Sequence, residues 1–207
     1  MRLALLGGTG RIGQYILSAA LQSGHEVSAL ARRPDALAAA SGLTVLHGDA
    51  SDGAAVAGLI EGTDAVLSAL GQRGARTPAL LATAARNIVE GMSKAGVSRL
   101  ICVSAAGAFI QGDPESGLLV RLILPRVLAG PFTDVREMEW IVAASDLDWT
   151  MVRATRLVNS PGTGHYRVRP DYPPAGGGKI ARADVAHFMA ACLAERSWVH
   201  GRPALAY

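Results

Sequence analysis

Seven residues near the start of the chain, Gly7-Gly8-Thr9-Gly10-Arg11-Ile12-Gly13, have the spacing of a nucleotide-binding loop. They follow a short apolar run, residues 1–6, of the kind that forms a buried parallel strand, and they precede a stretch with helical periodicity. Glycines in this context provide a tight turn and a close approach of the backbone to a ligand, and the free N–H groups at the start of the helix favour a pyrophosphate. The loop predicts a dinucleotide site, with a plain glycine-rich turn as the alternative.

Two arginines at the end of the second apolar strand, Arg32 and Arg33, indicate which dinucleotide binds. A site for NAD places Asp or Glu there to accept a hydrogen bond from the ribose 2′-OH, but the first acidic residue here is Asp35. A guanidinium group instead matches the 2′-phosphate of NADP, and Arg11 in the glycine loop is a candidate for the same phosphate. We therefore expect NADP(H); the alternative is that both arginines are ordinary solvated surface residues.

The turns after the third and fourth strands are expected to supply further cofactor contacts. Asp49 is a candidate partner of the adenine amino group, although a turn-forming Asp beside Gly48 is an equally good interpretation. The turn from Ser68 to Gly71 has the small residues that suit close approach to the ribose and pyrophosphate. The complete set of predicted cofactor residues is Gly7, Thr9, Gly10, Arg11, Ile12, Gly13, Arg32, Arg33, Asp49, Ala50, Ala69, Leu70, Gly71 and Thr155.

The elements that must position these residues alternate between strands and helices. Strands are predicted at residues 1–6, 25–31, 43–47, 64–68, 98–104 and 148–153, with a short one around 166–168. Helices are predicted at residues 10–23, 52–61, about 77–95, 118–129 and 132–145, with a short Ala-rich helix after Pro34, a break at Gly130-Pro131 and a last helix capped by Asp184 that ends near Glu195. This alternation predicts an α/β fold, a Rossmann-type doubly wound parallel sheet. Residues 1–207 are expected to form a single domain, in which about 105–180 make up a less regular substrate-site region.

Composition limits the classes of function. The 207 residues are 50% hydrophobic and carry a net charge of +3, and the basic residues are scattered, which disfavours a nucleic-acid surface. Cys102 and Cys192 lie far apart in apolar segments, as expected of a reduced cytoplasmic protein. We expect no N-terminal signal before the first strand, and no apolar stretch reaches the ~20 residues of a membrane span. We expect no nucleic-acid or membrane partner, and a monomer or small homo-oligomer.

Several stretches together resemble the atypical short-chain dehydrogenase/reductases, in particular the NAD(P)H-binding group that contains biliverdin reductase B (flavin reductase) and the NmrA-like proteins. They are the glycine loop and residues 27–32, 47–49, 85–89, 103–105, 147–153 and 183–189. The resemblance implies a strand order of 3-2-1-4-5-6, NADPH across the carboxyl ends of the strands and a shallow substrate site over the nicotinamide. It also implies that Ser104, which ends strand five, lies beside the nicotinamide, and that hydride passes to a flavin, quinone or tetrapyrrole.

The sequence departs from this family's relatives in two places. None of Tyr15, Tyr166, Tyr172 or Tyr207 is followed by Lys four residues later, so the Tyr-x-x-x-Lys pair of most short-chain dehydrogenases is missing. Carbonyl–alcohol chemistry by that pair and sugar-nucleotide epimerisation are therefore disfavoured. In addition, residues 154–156 stand where the biliverdin-reductase-like group carries a histidine, which weakens the tetrapyrrole interpretation.

Four residues are candidates for the reaction itself. Ser104 is the predicted catalytic residue, the alternative being a strand-end hydroxyl that bonds the backbone. Phe109 is predicted to stack on a planar substrate or simply to cover the sheet edge. Arg153 and Arg156 are predicted to hold an anionic substrate or the nicotinamide-side phosphates of the cofactor, or simply to be solvated. Residues 74–77 are a candidate lid or mobile loop, and the histidine spacing indicates no metal site.

These expectations combine into one predicted function. The protein is expected to be an NADPH-dependent reductase that passes hydride to a small planar electron acceptor of flavin or quinone type. The alternative is a non-catalytic NADP(H) sensor of the NmrA-like kind, which would bind a partner protein.

Overall fold

A central sheet of eight strands organises the computed structural model, which describes residues 1–71, 79–115, 117–127 and 129–207. The strands are β1 (Arg2–Leu6), β2 (Glu26–Ala31), β3 (Leu43–His47), β4 (Ala65–Ser68), β5 (Arg99–Ala105), β6 (Asp148–Ala154), β7 (Arg156–Val158), β8 (Arg167–Pro170), β9 (Lys179–Ala181) and β10 (Pro203–Ala206). The helices are α1 (Arg11–Gln22), α2 (Gly53–Ile60), α3 (Leu80–Ala95), α4 (Leu118–Val127), α5 (Ala129–Ala143) and α6 (Arg182–Ala194). The described residues also form 3₁₀ helices at Pro34–Ala36 and Ala106–Gly112.

The strand order confirms the predicted arrangement 3-2-1-4-5-6 and extends it with β10 and β8 at one edge. Neighbouring strands from β3 across to β10 run parallel, and β8 pairs antiparallel with β10. The strands β7 and β9 pair with each other in a separate small sheet. Because parallel strands end at the same edge of a sheet, the loops that follow β1 to β5 begin at a common edge, where ligands bind in such folds.

Alternation along the strands divides the core into two apolar layers. In β1, Leu3 and Leu5 pack with residues of α1 and α6, whereas Ala4 and Leu6 pack with residues of α2, α3 and α5. Both faces of the sheet are therefore covered, which is why these strands are nearly continuous apolar runs. None of the helices in the described part of the chain is long and apolar enough to cross a membrane.

The structure corrects several of the predicted elements. The Ala-rich helix after Pro34 is only the 3₁₀ turn Pro34–Ala36, and the loop predicted after β5 contains the 3₁₀ helix Ala106–Gly112. Gly130 and Pro131 do not separate two helices but lie in the first turn of α5, where a missing N–H costs no helical hydrogen bond. The start of the helix predicted from about residue 77 lies partly outside the described residues, and its described part begins at Leu80.

Asp184 does not cap α6, as the sequence had suggested. The strand β9 runs directly into the helix, so that Ala181 occupies the cap position and Asp184 lies in the first turn. Its buried carboxylate instead accepts hydrogen bonds from the backbone N–H groups of Thr163 and Gly164 and from the Tyr207 hydroxyl. Burial opposes ionisation of this group, but these hydrogen bonds prevail and lower its pKa. Asp184 therefore ties the loop before β8 to the last residue of the chain.

Both thiols are expected to be unreactive in the folded protein. Cys102 and Cys192 are free and almost wholly buried, and burial raises the pKa of both, to about 11 for Cys192. Because the thiolate is the reactive form, Ellman's reagent should label neither cysteine in mildly alkaline buffer and both after unfolding in guanidinium. Rapid reaction of either thiol in the folded state would contradict this packing.

Candidate nucleotide and acceptor sites

The glycine loop makes a tight turn between β1 and α1. The Gly10 N–H donates to the Gly7 carbonyl at 2.9 Å, and Gly7 has a φ of +81°, which favours glycine. A Cβ on Gly7 would lie 2.7 Å from the carbonyl carbon of Ala69, and one on Gly13 would lie 2.1 Å from the Gly7 carbonyl oxygen. Among the described residues, no side chain caps the start of α1 at Gly10. The turn thus leaves the first N–H groups of the helix available for an anion.

A cleft of about 640 Å³ opens beside this turn, along the loops that follow β1 to β4. Most of the predicted cofactor residues line it together: Gly7, Thr9, Gly10, Arg32, Arg33, Asp49, Ala50, Ala69, Leu70 and Gly71. The sequence analysis did not identify the other lining residues, which are Leu6, Gln14, Leu30, Ala31, Ala36, Gly48 and Leu80. Most of these residues are apolar or small, so their residue types do not distinguish them from core or turn residues. Only their position next to the ends of the strands could have indicated that they line the cleft.

Arg32 and Asp49 form an ion pair on the wall of this cleft. The Nε atom of Arg32 lies 3.6 Å from Oδ2 of Asp49, and the Arg32 side chain is 77% exposed. The backbone N–H and the hydroxyl of Ser51 both donate to Oδ1 of Asp49, and these bonds lower the pKa of its carboxyl group. Asp49 is therefore an anion fixed beside Arg32, and most of the Arg32 side chain stays accessible to a ligand.

Four predicted cofactor residues lie elsewhere: the lining of the cleft, as far as the described residues define it, does not include Arg11, Ile12, Gly13 or Thr155. Ile12 is buried in the α1–α6 layer, and Gly13 packs against the turn itself. The Thr155 hydroxyl donates to the Leu205 carbonyl at 2.9 Å. These residues support the loop and the sheet from behind the cleft.

Arg11 has a side-chain partner outside the lining of the cleft. Its Nη1 atom donates to Oδ1 of Asn159 at 3.3 Å, and Arg182 donates to the same oxygen at 2.6 Å. Asn159 follows β7 and Arg182 is the first residue of α6, so these contacts tie the start of α1 to those two segments. Arg11 thus binds Asn159 and does not line the cleft with Arg32, and a phosphate shared by the two arginines stays a prediction.

Ser104 belongs to a buried polar network. Its hydroxyl donates to Oε1 of Glu139 at 2.5 Å, and Arg153 donates to both oxygens of the same carboxylate, from Nε at 2.9 Å and from Nη2 at 2.7 Å. The Nε atom of Arg202 lies 3.4 Å from Oε2 of Glu139. Ser104, Glu139 and Arg153 are all at most about one-twentieth exposed. One buried carboxylate thus pairs with two arginines, the buried Arg153 and the partly exposed Arg202.

The sequence analysis missed Glu139, although a signal was present. Val135 and Val142, four residues before and three after it, lie on the buried face of α5, as does Met138. An acidic residue at this spacing points into the core, where a charge must have a partner. The two arginines beside it are the partners that this rule requires.

A second pocket lies beside β5, β6 and the start of β10. This feature, called the arginine pocket below, has a volume of about 350 Å³ and is lined by Ala108, Phe109, Gln111, Gly112, Arg136, Arg153, Asp171, Tyr172 and Arg202. It brings together the predicted substrate residues Phe109 and Arg153, whose guanidinium carbon lies 3.6 Å from the centre of the Phe109 ring. Arg156 is exposed in β7 and is not part of this pocket. The predicted lid at residues 74–77 lies outside the described residues.

Known proteins are similar to this chain in sequence. The chain is 29% identical over 205 residues to an uncharacterized sugar epimerase of Bacillus subtilis, covering 95% of this chain and 90% of that protein. It is 33% identical over 184 residues to a 3-diazoavenalumate denitrifying reductase of a Streptomyces species, covering 81% of this chain but only 59% of that longer relative.

The fold also matches solved structures. A short-chain dehydrogenase/reductase of Veillonella parvula, solved in complex with NADP, superimposes with a TM-score of 0.83 over 100% of this chain and 94% of the other, at 18% identity. A family model described as NAD(P)H-binding matches residues 7–196. The chain belongs to this NAD(P)H-binding family.

Proposed function

We propose that this protein is an NADPH-dependent reductase that transfers hydride to a planar acceptor of flavin or quinone type. The observation that carries the proposal is the cleft in which the glycine turn and the Arg32–Arg33 pair face the same space. Membership of an NAD(P)H-binding family and the reductase among the relatives support the reaction class. Arg32 and Arg33 are what favours the phosphorylated form of the nucleotide.

The residues of the cleft fit a dinucleotide. A Cβ on Gly7 would clash with the Ala69 backbone, so glycine lets the turn pack closely on the loop after β4, and the free N–H groups at the start of α1 suit a pyrophosphate. Arg32, held by Asp49, would bind the 2′-phosphate together with Arg33. When bound, the nucleotide supplies the hydride, and the protein contributes binding, orientation and exclusion of water.

The proposed acceptor class rests on the lack of a Tyr-x-x-x-Lys pair in the sequence. The sequence has no Tyr-x-x-x-Lys pair, so it lacks that proton donor for carbonyl reduction. Flavins and quinones need only a hydride and protons from solvent. A second candidate function, an NADP(H) sensor of the NmrA-like kind, is favoured by the same missing pair.

The test is to mix the protein with NADPH and, separately, with a flavin, a quinone dye and biliverdin, and to follow nucleotide oxidation. We expect turnover with the flavin or the quinone. Reactions without protein subtract the spontaneous reduction of the quinone by NADPH. Tight NADPH binding without turnover on any acceptor would contradict the reductase and support the sensor, and turnover with biliverdin alone would overturn the acceptor class.

A further inference from the structure

The arginine pocket and the nucleotide cleft lie along different strands of the sheet. The cleft lies along the loops after β1 to β4, whereas the arginine pocket lies beside β5, β6 and β10, and the two share no lining residue among those described. The volume of the pocket, about 350 Å³, falls in the range typical of small-molecule sites. None of the residues proposed to bind the nucleotide lines the arginine pocket. The ligand of this pocket is therefore inferred from the side chains that line it.

The charge of the pocket walls is positive. Arg136, Arg153 and Arg202 face it, against the carboxylate of Asp171 at the rim and that of Glu139 beneath. The Glu139 side chain is only 3% exposed and its two oxygens already accept from Ser104 and Arg153, so its negative charge is held below the pocket floor. A ligand in the pocket would therefore meet an excess of guanidinium groups and would be favoured if anionic.

Arg153 and Arg202 differ in how many of their nitrogen atoms already have a partner. Nε and Nη2 of Arg153 bind Glu139, its Nη1 donates to the Asp171 carbonyl, and its flat face covers Phe109, so that it is a fixed inner wall. Arg202 is 31% exposed, its Nε faces Glu139, and its plane lies over Trp149. Within the part of the chain that the structure describes, no hydrogen bond occupies either Nη atom of Arg202. This leaves a held guanidinium with two parallel donors available.

Flat side chains complete the pocket. Phe109 is held in place by the guanidinium stacked on it. The Tyr172 ring lies against Gly112 so closely that a Cβ there would come within 2.6 Å of the Tyr172 hydroxyl oxygen. Aromatic walls favour a flat apolar body, and a guanidinium with two free Nη groups favours a carboxylate in a bidentate contact.

We propose that the arginine pocket binds a flat aromatic or conjugated carboxylate, with its carboxylate on Arg202 and its ring against Phe109 and Tyr172. Arg136 adds a second positive charge near the ligand while its own Nη1 holds the Ala108 carbonyl and so fixes the Phe109 segment. That this carboxylate is the hydride acceptor rests on the proposed function. The binding of the carboxylate does not, because the pocket is complete without the nucleotide.

Calorimetric titration with trans-cinnamate, in the absence of nucleotide, tests the proposal. The uncharged amide, cinnamamide, serves as the matched probe, since it keeps the flat body and lacks the charge. The wild-type protein is expected to bind cinnamate at least about tenfold more tightly than cinnamamide, and the affinity is expected to fall as salt is added. Arg202→Met is expected to weaken cinnamate binding about tenfold or more, while Arg2→Met, an exposed arginine in β1 outside the pocket, leaves it unchanged.

Failure to bind cinnamate at millimolar concentration, equal binding of the amide, or unchanged binding by Arg202→Met would each overturn the proposal. If Arg202→Met does not fold, Arg202→Lys keeps the charge beside Glu139 but removes the two-pronged donor. The Arg202→Lys protein is expected to bind cinnamate several-fold more weakly than the wild type, and an unchanged affinity would again overturn the proposal. Cinnamate binding without NADPH turnover would contradict the reductase alone, whereas turnover without cinnamate binding would contradict this inference alone.

Discussion

Replacing Glu139 by alanine is expected to lower the free energy of unfolding by about 3–5 kcal/mol. The substitution removes the carboxylate that pairs with Arg153, whose side chain is only 6% exposed, and leaves that charge buried without its partner. It also removes the acceptor of the Ser104 hydroxyl. Urea unfolding followed by circular dichroism measures the change, and Glu139→Gln, which retains the polar shape but not the charge, should fall between the wild type and Glu139→Ala.

The matched control is Glu90→Ala. Glu90 forms an ion pair with Lys94 one helical turn away, but both side chains are about two-thirds exposed. Water and salt screen such a pair, so its loss should change the free energy of unfolding by about 0.5 kcal/mol or less. Equal destabilisation by the two substitutions would mean that the Glu139 network does not carry a buried charge.

Gly13→Ala is the second substitution with a large expected effect. The new Cβ would lie 2.1 Å from the Gly7 carbonyl oxygen and 2.8 Å from the Gly8 Cα, and both contacts are with backbone that cannot rotate away. Either α1 must move off β1 or the glycine turn must open. We expect a loss of about 3 kcal/mol or more in the free energy of unfolding and, in protein that remains folded, loss of NADPH binding.

Gly58→Ala is the matched glycine control. Gly58 lies inside α2, and a Cβ there meets nothing within 4 Å. Because alanine has the higher helix propensity, this substitution should stabilise the protein by roughly 0.5–1 kcal/mol without affecting the nucleotide cleft. A Gly13→Ala protein as stable as the wild type would show that the close packing of α1 on the glycine turn is wrong.

The nucleotide half of the fold was predictable because each of its signals is local. Strand, glycine turn and helix follow one another within residues 1–23, and the end of β2 is marked by Arg32 and Arg33. In a parallel sheet, residues that follow successive strands are brought to one edge by the topology alone. The structure accordingly gathers Asp49 and Ala69 beside the glycine turn, although twenty residues of sequence separate them.

The half of the fold that contains the arginine pocket was less predictable, because its contacts join residues that lie far apart in the sequence. The short strand β10 contains only Pro203–Ala206 and pairs with β8, although a loop rich in Pro and Gly, the strand β9 and the helix α6 lie between the two in the sequence. The partners of Ser104 are set by the packing of α5 on the sheet, so that its hydroxyl meets Glu139 and not a backbone group or an open ligand site. Arg11 likewise has a partner, Asn159, that no local spacing indicates.

Two of the three predicted substrate residues line one pocket in the structure. Phe109 and Arg153 lie together in the arginine pocket, but Arg202 and Tyr172, which come from segments far along the chain, complete its wall. Nothing in the sequence around Arg202 distinguishes it from a solvated arginine. Its role follows from the short distance to Glu139, which only the folded chain reveals.

We propose that Arg32 selects the phosphorylated nucleotide in the cleft beside the glycine turn. The most direct measurement is the dissociation constant of NADPH and of NADH, by calorimetry, for the wild type and for Arg32→Ala. The wild type should bind NADPH more tightly than NADH, and Arg32→Ala should weaken NADPH about tenfold or more while changing NADH by less than about twofold, because the 2′-phosphate is the only group that the two nucleotides do not share. Equal weakening of both nucleotides, or a wild type that prefers NADH, would contradict the account.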